Sequence, residues 1–382
     1  MKVTVIGASI SGLFAAYLLA KEGLEVEVCE RSAELGAPRR TLIVTDELGR
    51  VLGFEPKEAI LNKLRFVEIF SESQSVKLEL KRPDLVVERA TLVYLLAELA
   101  RSAGATIKLS RKFLKFEERA SKLQVVIEDL STGEIERFIT DVLIGADGAH
   151  SFVSRAALGN GHRRDALLQA RVPLPREACR DTFQVWFGGN HTRYFYWLIP
   201  ETEETAALGL IAEDARQAGT GLKSFLAHRG LRSIEFQGAM VPRHSFKYAP
   251  EFDGRRQNVY LIGDAAAQVK MTTLGGVVTG LRGAKALAGA ILKKKGWQAE
   301  LLELKLELDL HLLLRRMFNH FRTEDYDTLV GLIRKRLRRV LSERTRDELA
   351  QTFLRLIIAE PRLMALGTKA LLSSLLPNRH SG

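Results

Sequence analysis

From Val3 to Ile6 the chain is apolar or β-branched without a break, then crosses a glycine-bearing turn and shows apolar positions at helical spacing from Leu13 to Ala20. A second short run, Val26 to Cys29, follows. Strand, helix, strand is the pattern of a parallel sheet, whose strands are covered on both faces and so lose polar alternation. A helical segment over Thr91 to Ala103 leads to a strand at Thr106 to Leu109. Leu123 to Glu128 and Glu136 to Thr140 read as a hairpin around Ser131–Gly133, and Asp141 to Ile144 as a strand entering a glycine turn. Between about Ala166 and Tyr248 the texture changes to short, aromatic-rich alternating runs: Thr182 to Phe187, Tyr194 to Leu198 and Ala206 to Ile211. These predict a separate antiparallel sheet inserted into the first domain. A buried strand at Asn258 to Ile262 then resumes the first pattern, and from Gly296 the chain is helical, charged and leucine-rich. The expected organisation is an α/β dinucleotide-type domain over 1–165 and 250–295, an antiparallel-sheet domain over 166–249, and a helical region over 296–382.

Composition narrows the class. Lys and Arg number 57 against 46 Asp and Glu, a net charge of +11 that favours anionic partners. The two cysteines, Cys29 and Cys179, cannot build a disulfide framework or an all-cysteine zinc site, and no metal site is expected. The N-terminus lacks the charged, apolar and small-residue stretches of a secretory signal. Even Phe353 to Leu376 is interrupted by charge and proline, so no spanning helix is expected and the predicted location is cytoplasmic.

The turn Gly7-Ala-Ser-Ile-Ser-Gly12 lies between strand and helix, with Glu30 closing the second strand 18 residues after Gly12. Gly7 allows the tight turn, and Gly12 allows close helix–strand packing. Ser9 stands at the middle position, small enough for a pyrophosphate to approach. The helix N-terminus offers free N–H groups to phosphate, and Glu30 can accept from a ribose. This much suits NAD or FAD equally.

Two further segments separate the two cofactors. Gly145-Ala-Asp-Gly-Ala-His-Ser-Phe-Val-Ser-Arg155 and Ile262-Gly-Asp-Ala-Ala266 resemble the Asp-Gly and Gly-Asp motifs of the flavoprotein superfamily that includes p-hydroxybenzoate hydroxylase and the geranylgeranyl reductases. The resemblance implies a Rossmann-like FAD-binding domain. Its implied cofactor contacts are Gly7, Ser9, Ile10, Ser11, Gly12, Glu30, Arg31, Asp147, Gly148, Gly263 and Asp264, with Asp264 on the ribityl chain. Arg89, at a helix start, matches an arginine beside the flavin. Asp147 also reads as a loop cap. No second glycine-rich nucleotide motif is present, so electrons are expected from a transiently docked NAD(P)H or a redox protein.

The string Gly263 to Gly280 resembles the geranylgeranyl reductase form of this loop, with Gly275, Gly276 and Val277 opening the next helix beside the flavin. Met271 stands where a proline is common and Leu274 where a glycine is common. Tyr194-Phe-Tyr-Trp-Leu-Ile-Pro200 is similar to the reductases' aromatic element, which implies a prenyl pocket at Phe195, Trp197 and Pro200; an ordinary strand core explains the same pattern. The archaeal reductases' cysteine motif is missing, since Gly36-Ala-Pro-Arg-Arg-Thr41 occupies its place. The expected activity is therefore FAD-dependent reduction of prenyl double bonds in an isoprenoid lipid or diphosphate. The alternatives are a flavin monooxygenase acting on a small hydrophobic or aromatic substrate and a flavin-retaining lipid binder. No catalytic residue is singled out, Tyr194, Tyr196, His150 and Lys270 being equal candidates for the proton donor. Arg334-Lys-Arg-Leu-Arg-Arg339 suggests peripheral contact with an anionic membrane or a solvated helix face. Nucleic acid is not an expected partner.

Overall fold

The computed structural model describes residues 1–159, 161–188, 191–246, 258–342, 360 and 362–363. The chain divides into two compact units, one of Met1–Ile60, Val87–Arg164 and Met240–Asp309, the other of Leu61–Val86, Asp165–Ala239 and Leu310–Gly382.

The first unit is built on a five-stranded sheet in the order Val259–Leu261, Val142–Gly145, Lys2–Ile6, Glu25–Cys29, Thr106–Lys108, every pairing parallel. Its central strands are buried on both faces, which is why Val3–Ile6 and Val142–Gly145 carry almost no polar residue. The helix Ile10–Ala20 is buried along nearly its whole length and packs against the helices Arg89–Ser102 and Val277–Ile291. The chain enters Arg89–Ser102 through Glu88, whose carboxylate caps the helix at Thr91 N. Beside this sheet, Arg111–Arg119, Lys122–Asp129 and Ile135–Thr140 form a three-stranded antiparallel sheet. Its first strand does not show in the polar–apolar pattern. A bulge between Phe113 and Lys115 brings Phe113 and Phe116 into one core at a spacing of three rather than two.

The second unit carries seven neighbouring strands in the order Glu235–Pro242, Arg164–Pro173, Thr205–Ala212, Tyr196–Pro200, Thr182–Trp186, Ile60–Phe70, Ser75–Glu88. The middle pairings are antiparallel, as the alternation of the inserted segment suggests, but Thr182–Trp186 runs parallel to Ile60–Phe70. Residues 61–86 thus join this unit, although their place in the chain groups them with the dinucleotide end; the backbone pairing to Thr182–Trp186 decides it. The helix Ala215–His228 covers Thr205–Ala212. After residue 309 come the rest of the helix Trp297–Phe318, the helix Thr323–Leu332 and a π-turn over Ile333–Leu337. Arg334, Arg338 and Arg339 of the basic run are exposed. No helix among the described residues is long and apolar enough to cross a membrane.

Candidate functional site

Three loops leave the C-terminal ends of adjacent parallel strands, the position where open α/β sheets build ligand sites. The first is the Gly7–Gly12 turn. Gly7 has φ +104°, and a Cβ on it would stand 2.5 Å from the Ala146 carbonyl oxygen, so no other residue fits. At Gly12 a Cβ would lie 2.3 Å from the Gly7 carbonyl oxygen. Ser9 caps the helix, its Oγ accepting from Gly12 N at 3.1 Å, which leaves its own proton to donate outward. Ile10 opens the helix. Ser11 is buried, its Oγ turned toward Gly263 and Gly280. Glu30 accepts from Ala8 N at 2.8 Å and Ser32 N at 2.9 Å, one bond to each oxygen, so it shapes the turn while keeping acceptor capacity. Arg31 beside it is exposed.

The second loop follows Val142–Gly145. Asp147 accepts from Ser151 Oγ at 2.5 Å, Phe152 N at 2.7 Å and Val153 N at 3.3 Å, and so acts as the cap of its own loop. Burial pushes its carboxyl up while those bonds pull it down. Gly148, at φ +80°, has open space where a side chain would begin.

The third loop is a 3-10 turn, Gly263–Ala266, with Asp264 in it. Burial raises the Asp264 carboxyl, and the guanidinium groups of Arg40 and Arg89 oppose the rise. Arg89 donates to the Gly36 carbonyl at 2.9 Å. Arg40 is pushed down to about 10 by burial and by Arg89, and its Nε is buried without a hydrogen-bond partner. Arg40 escaped the sequence reading because the string Ala-Pro-Arg-Arg matches no phosphate or flavin motif; only folding brings it to Asp264. The loop then closes on itself, Lys270 N donating to Gly275 O at 3.1 Å and Leu274 N to Lys270 O at 2.7 Å. Gly276 caps the helix Val277–Ile291, and a Cβ there would meet Asp264 Oδ1 at 3.0 Å. At Gly275 a Cβ would make only ordinary contacts, 3.5 Å from Thr273 Oγ1 and 3.6 Å from Lys270 Cε, so protein packing does not demand glycine there. A glycine without a packing reason, an unpartnered buried Arg40 Nε and two cations about one carboxylate suit a polar, phosphate-bearing cofactor laid across the three loops.

The aromatic element belongs to the second unit. Phe195 is half-buried, its ring edge-on to Trp197 at 6.0 Å and to Phe187 at 5.9 Å, and Phe187 stacks on Tyr326 at 5.1 Å. Tyr196 instead stacks on Phe225 at 4.4 Å. Trp197 Nε1 is buried without a partner, and Gly209 makes room for the indole, since a Cβ there would lie 2.6 Å from Trp197 Cζ2. The Pro200 carbonyl accepts from Asn62 Nδ2 at 3.0 Å. Among the proton-donor candidates, Tyr194 donates to Asp165 Oδ2 at 2.6 Å, Lys270 is buried, and His150 is exposed. Burial raises the Tyr196 hydroxyl.

The family described as FAD binding domain matches residues 1–300, and the chain belongs to it. It is a flavoprotein with FAD as cofactor and the fold of FAD-dependent oxidoreductases. Within that class it is similar to digeranylgeranylglycerophospholipid reductase 2 of Methanothermobacter thermautotrophicus, 29% identical over 300 residues, 72% of this chain and 73% of that protein. It is likewise similar to the digeranylgeranylglycerophospholipid reductase of Methanocaldococcus jannaschii, 26% identical over 325 residues, 79% of this chain and 80% of the relative. Among solved structures, a geranylgeranyl bacteriochlorophyll reductase-like protein from Thermoplasma acidophilum shares the fold with a TM-score of 0.78 at 19% identity, over 96% of this chain and 98% of that one.

Proposed function

We propose that this protein is an FAD-dependent reductase that saturates the prenyl double bonds of a geranylgeranyl-bearing isoprenoid lipid or diphosphate. The observation that carries this reading is the similarity, over 72% and 79% of the chain, to two reductases named for digeranylgeranylglycerophospholipid. In this reading the Gly7–Gly12 turn and the N-terminus of Ile10–Ala20 hold the pyrophosphate, with the Ser9 hydroxyl donating to it. Glu30 accepts from the adenosine ribose and Asp264 from the ribityl hydroxyls. Arg40 and Arg89 oppose the protonation of Asp264 and present positive charge to the cofactor, with Arg31 toward its adenosine end. Gly148 and Gly275 would admit it closely, and the N–H groups at Gly276 and Val277 would offer hydrogen bonds to the negative charge a flavin gathers on reduction. Asp147 keeps the second loop in shape.

An isolated alkene carries no polarising group, so its reduction takes a proton at one carbon and a hydride at the other. Bound FAD, once reduced, supplies that hydride. The ring faces of Phe195 and Trp197 stabilise cationic character at the tertiary carbon by about 0.5–2 kcal/mol each, and Pro200 closes the apolar strand. NAD(P)H or a redox protein delivers the electrons, and the exposed Arg334, Arg338 and Arg339 favour an anionic membrane surface where a prenyl lipid resides. The test is anaerobic. The flavin-loaded, chemically reduced protein is mixed with geranylgeranyl lipids, and products are read by mass spectrometry for stepwise gains of two hydrogens. Unchanged lipid with intact reduced flavin defeats the proposal, and a product heavier by one oxygen in air points to a monooxygenase instead.

A further inference from the structure

Two buried histidines stand behind the Gly263–Ala267 loop, and neither has a role above. His162 Nε2 lies 2.8 Å from the Ala265 carbonyl oxygen, with Ser154 Oγ at 3.4 Å from the same nitrogen. His244 Nδ1 lies 3.2 Å from the Ala267 carbonyl oxygen, and its Nε2 is 3.0 Å from Asp309 Oδ1. The other Asp309 oxygen takes Lys305 Nζ at 2.7 Å. The segments bearing the two rings are tied together, Arg243 N donating to Arg163 O at 2.7 Å. His244 is further anchored by its own N–H, which donates to Met271 Sδ at 3.3 Å.

The acceptors dictate where the protons sit. A carbonyl oxygen can only accept, so His162 carries hydrogen on Nε2 and His244 on Nδ1. The second nitrogen of His244 faces the half-buried Asp309 carboxylate, which orients the ring. Burial holds the His162 ring below its ordinary basicity, and the neighbouring His244 adds to that. The two histidines thus grip alternate carbonyls of a single short loop.

The loop needs gripping. Ala267 has φ +50°, a left-handed conformation that costs a residue with a Cβ and persists only where its surroundings over-determine it. Gly263, at φ +62°, is held from the other end by Gln268 Oε1, which accepts from Gly263 N at 2.8 Å. Asp264 stands between these fixed points. We propose that His162 and His244 are positioning residues for the flavin, which fix the Ala265 and Ala267 carbonyls and thereby hold Asp264 and the approach to Gly276 in cofactor-binding geometry. The inference rests on the reading of Asp264 as a flavin ligand.

The two contacts use different ring nitrogens, and this supplies the test. An asparagine amide nitrogen overlies Nδ1, and a glutamine amide nitrogen overlies Nε2. At position 244 the Asn variant keeps the donor to Ala267 and the Gln variant loses it; at position 162 the order reverses. FAD dissociation constants are measured by flavin fluorescence on the full chain for wild type, H162N, H162Q, H244N and H244Q, with thermal midpoints of each apoprotein alongside. We expect H244N and H162Q each to bind FAD within about threefold of wild type, and H244Q and H162N at least fivefold more weakly than H244N and H162Q respectively. A merely structural role lowers the midpoints without this crossed ranking, and equal affinities within each pair overturn the proposal. Each pair is read by itself, so a variant that does not fold leaves the other position to decide. A wild type that fails to bind FAD removes the underlying site reading, an outcome distinct from loss of the crossed pattern.

Discussion

The helices Ile10–Ala20 and Val277–Ile291 meet at Ser11 and Gly280, and that contact lends itself to a double-mutant cycle. A Cβ on Gly280 would lie 2.4 Å from Ser11 Oγ, 3.1 Å from Gly263 Cα and 3.7 Å from Ser11 Cβ, whereas ordinary contact begins at 3.4 Å. The Gly280→Ala change must therefore part the helices by about 1 Å, overpacking that costs about 1–3 kcal/mol. Alanine is a better helix former than glycine by about 1 kcal/mol, so the net loss is about 0–2 kcal/mol. Removing the hydroxyl by Ser11→Ala leaves Cβ at 3.7 Å as the nearest atom of that residue, and the overlap with it vanishes. In that background Gly280→Ala costs at most a few tenths of a kcal/mol, and because the propensity gain is common to both backgrounds the coupling equals the overpacking, about 1–3 kcal/mol. Urea unfolding followed by circular dichroism on the four proteins measures it. Gly219→Ala is the control: it places the same methyl in the helix Ala215–His228 with no atom within 4 Å and gains about 0.5–1 kcal/mol. If Gly280→Ala changes stability by the same amount with and without the Ser11 hydroxyl, the packing argument fails.

Replacing Asp264 by asparagine leaves Arg40 and Arg89 without their counter-charge and replaces charge-assisted acceptance by neutral acceptance; FAD affinity should fall at least tenfold, read from bound flavin per protein, and an unchanged ratio would remove Asp264 from the site. Because burial raises this carboxyl, it takes up a proton while ordinary carboxylates are still ionised, so FAD affinity should weaken on acidification before general acid unfolding sets in. Cys29 is buried with its thiol pushed up to about 12, a thiolate fraction of about one in ten thousand at pH 8, whereas Cys179 is exposed. Alkylation of the native protein should give a single adduct at Cys179 by mass spectrometry, and comparable labelling of both would contradict the burial of Cys29.

The dinucleotide turn was legible because it is local. Gly7, Ser9 and Gly12 lie within six residues, and the positive φ of Gly7, the Ser9 cap and the close approach of Gly12 to the Gly7 carbonyl are all set within the turn. The hairpin through Ser131–Gly133 was legible for the same reason. The strand Arg111–Arg119 was not, because its bulge replaces the period of two by a spacing of three. Asp147 shows a mixed result: the motif marked the residue, and the fold engages its carboxylate in capping its own loop.

Pattern and spacing in the chain were sufficient for the parallel sheet, the glycine-bearing loops at its strand ends and the resemblance to prenyl-reducing flavoproteins, since each rests on residues a few positions apart. Distant partners were set only by the packed chain. Residues 61–86 joined the second unit through backbone pairing with Thr182–Trp186. Arg40 reached Asp264 across more than two hundred residues of chain, and Ser11 met Gly280 by helix packing. His162 and His244 found the carbonyls of one loop in the same way. Such contacts leave no periodic or motif signal, because the hydrogen bonds and close approaches that define them exist only once the strands have fixed where each loop emerges.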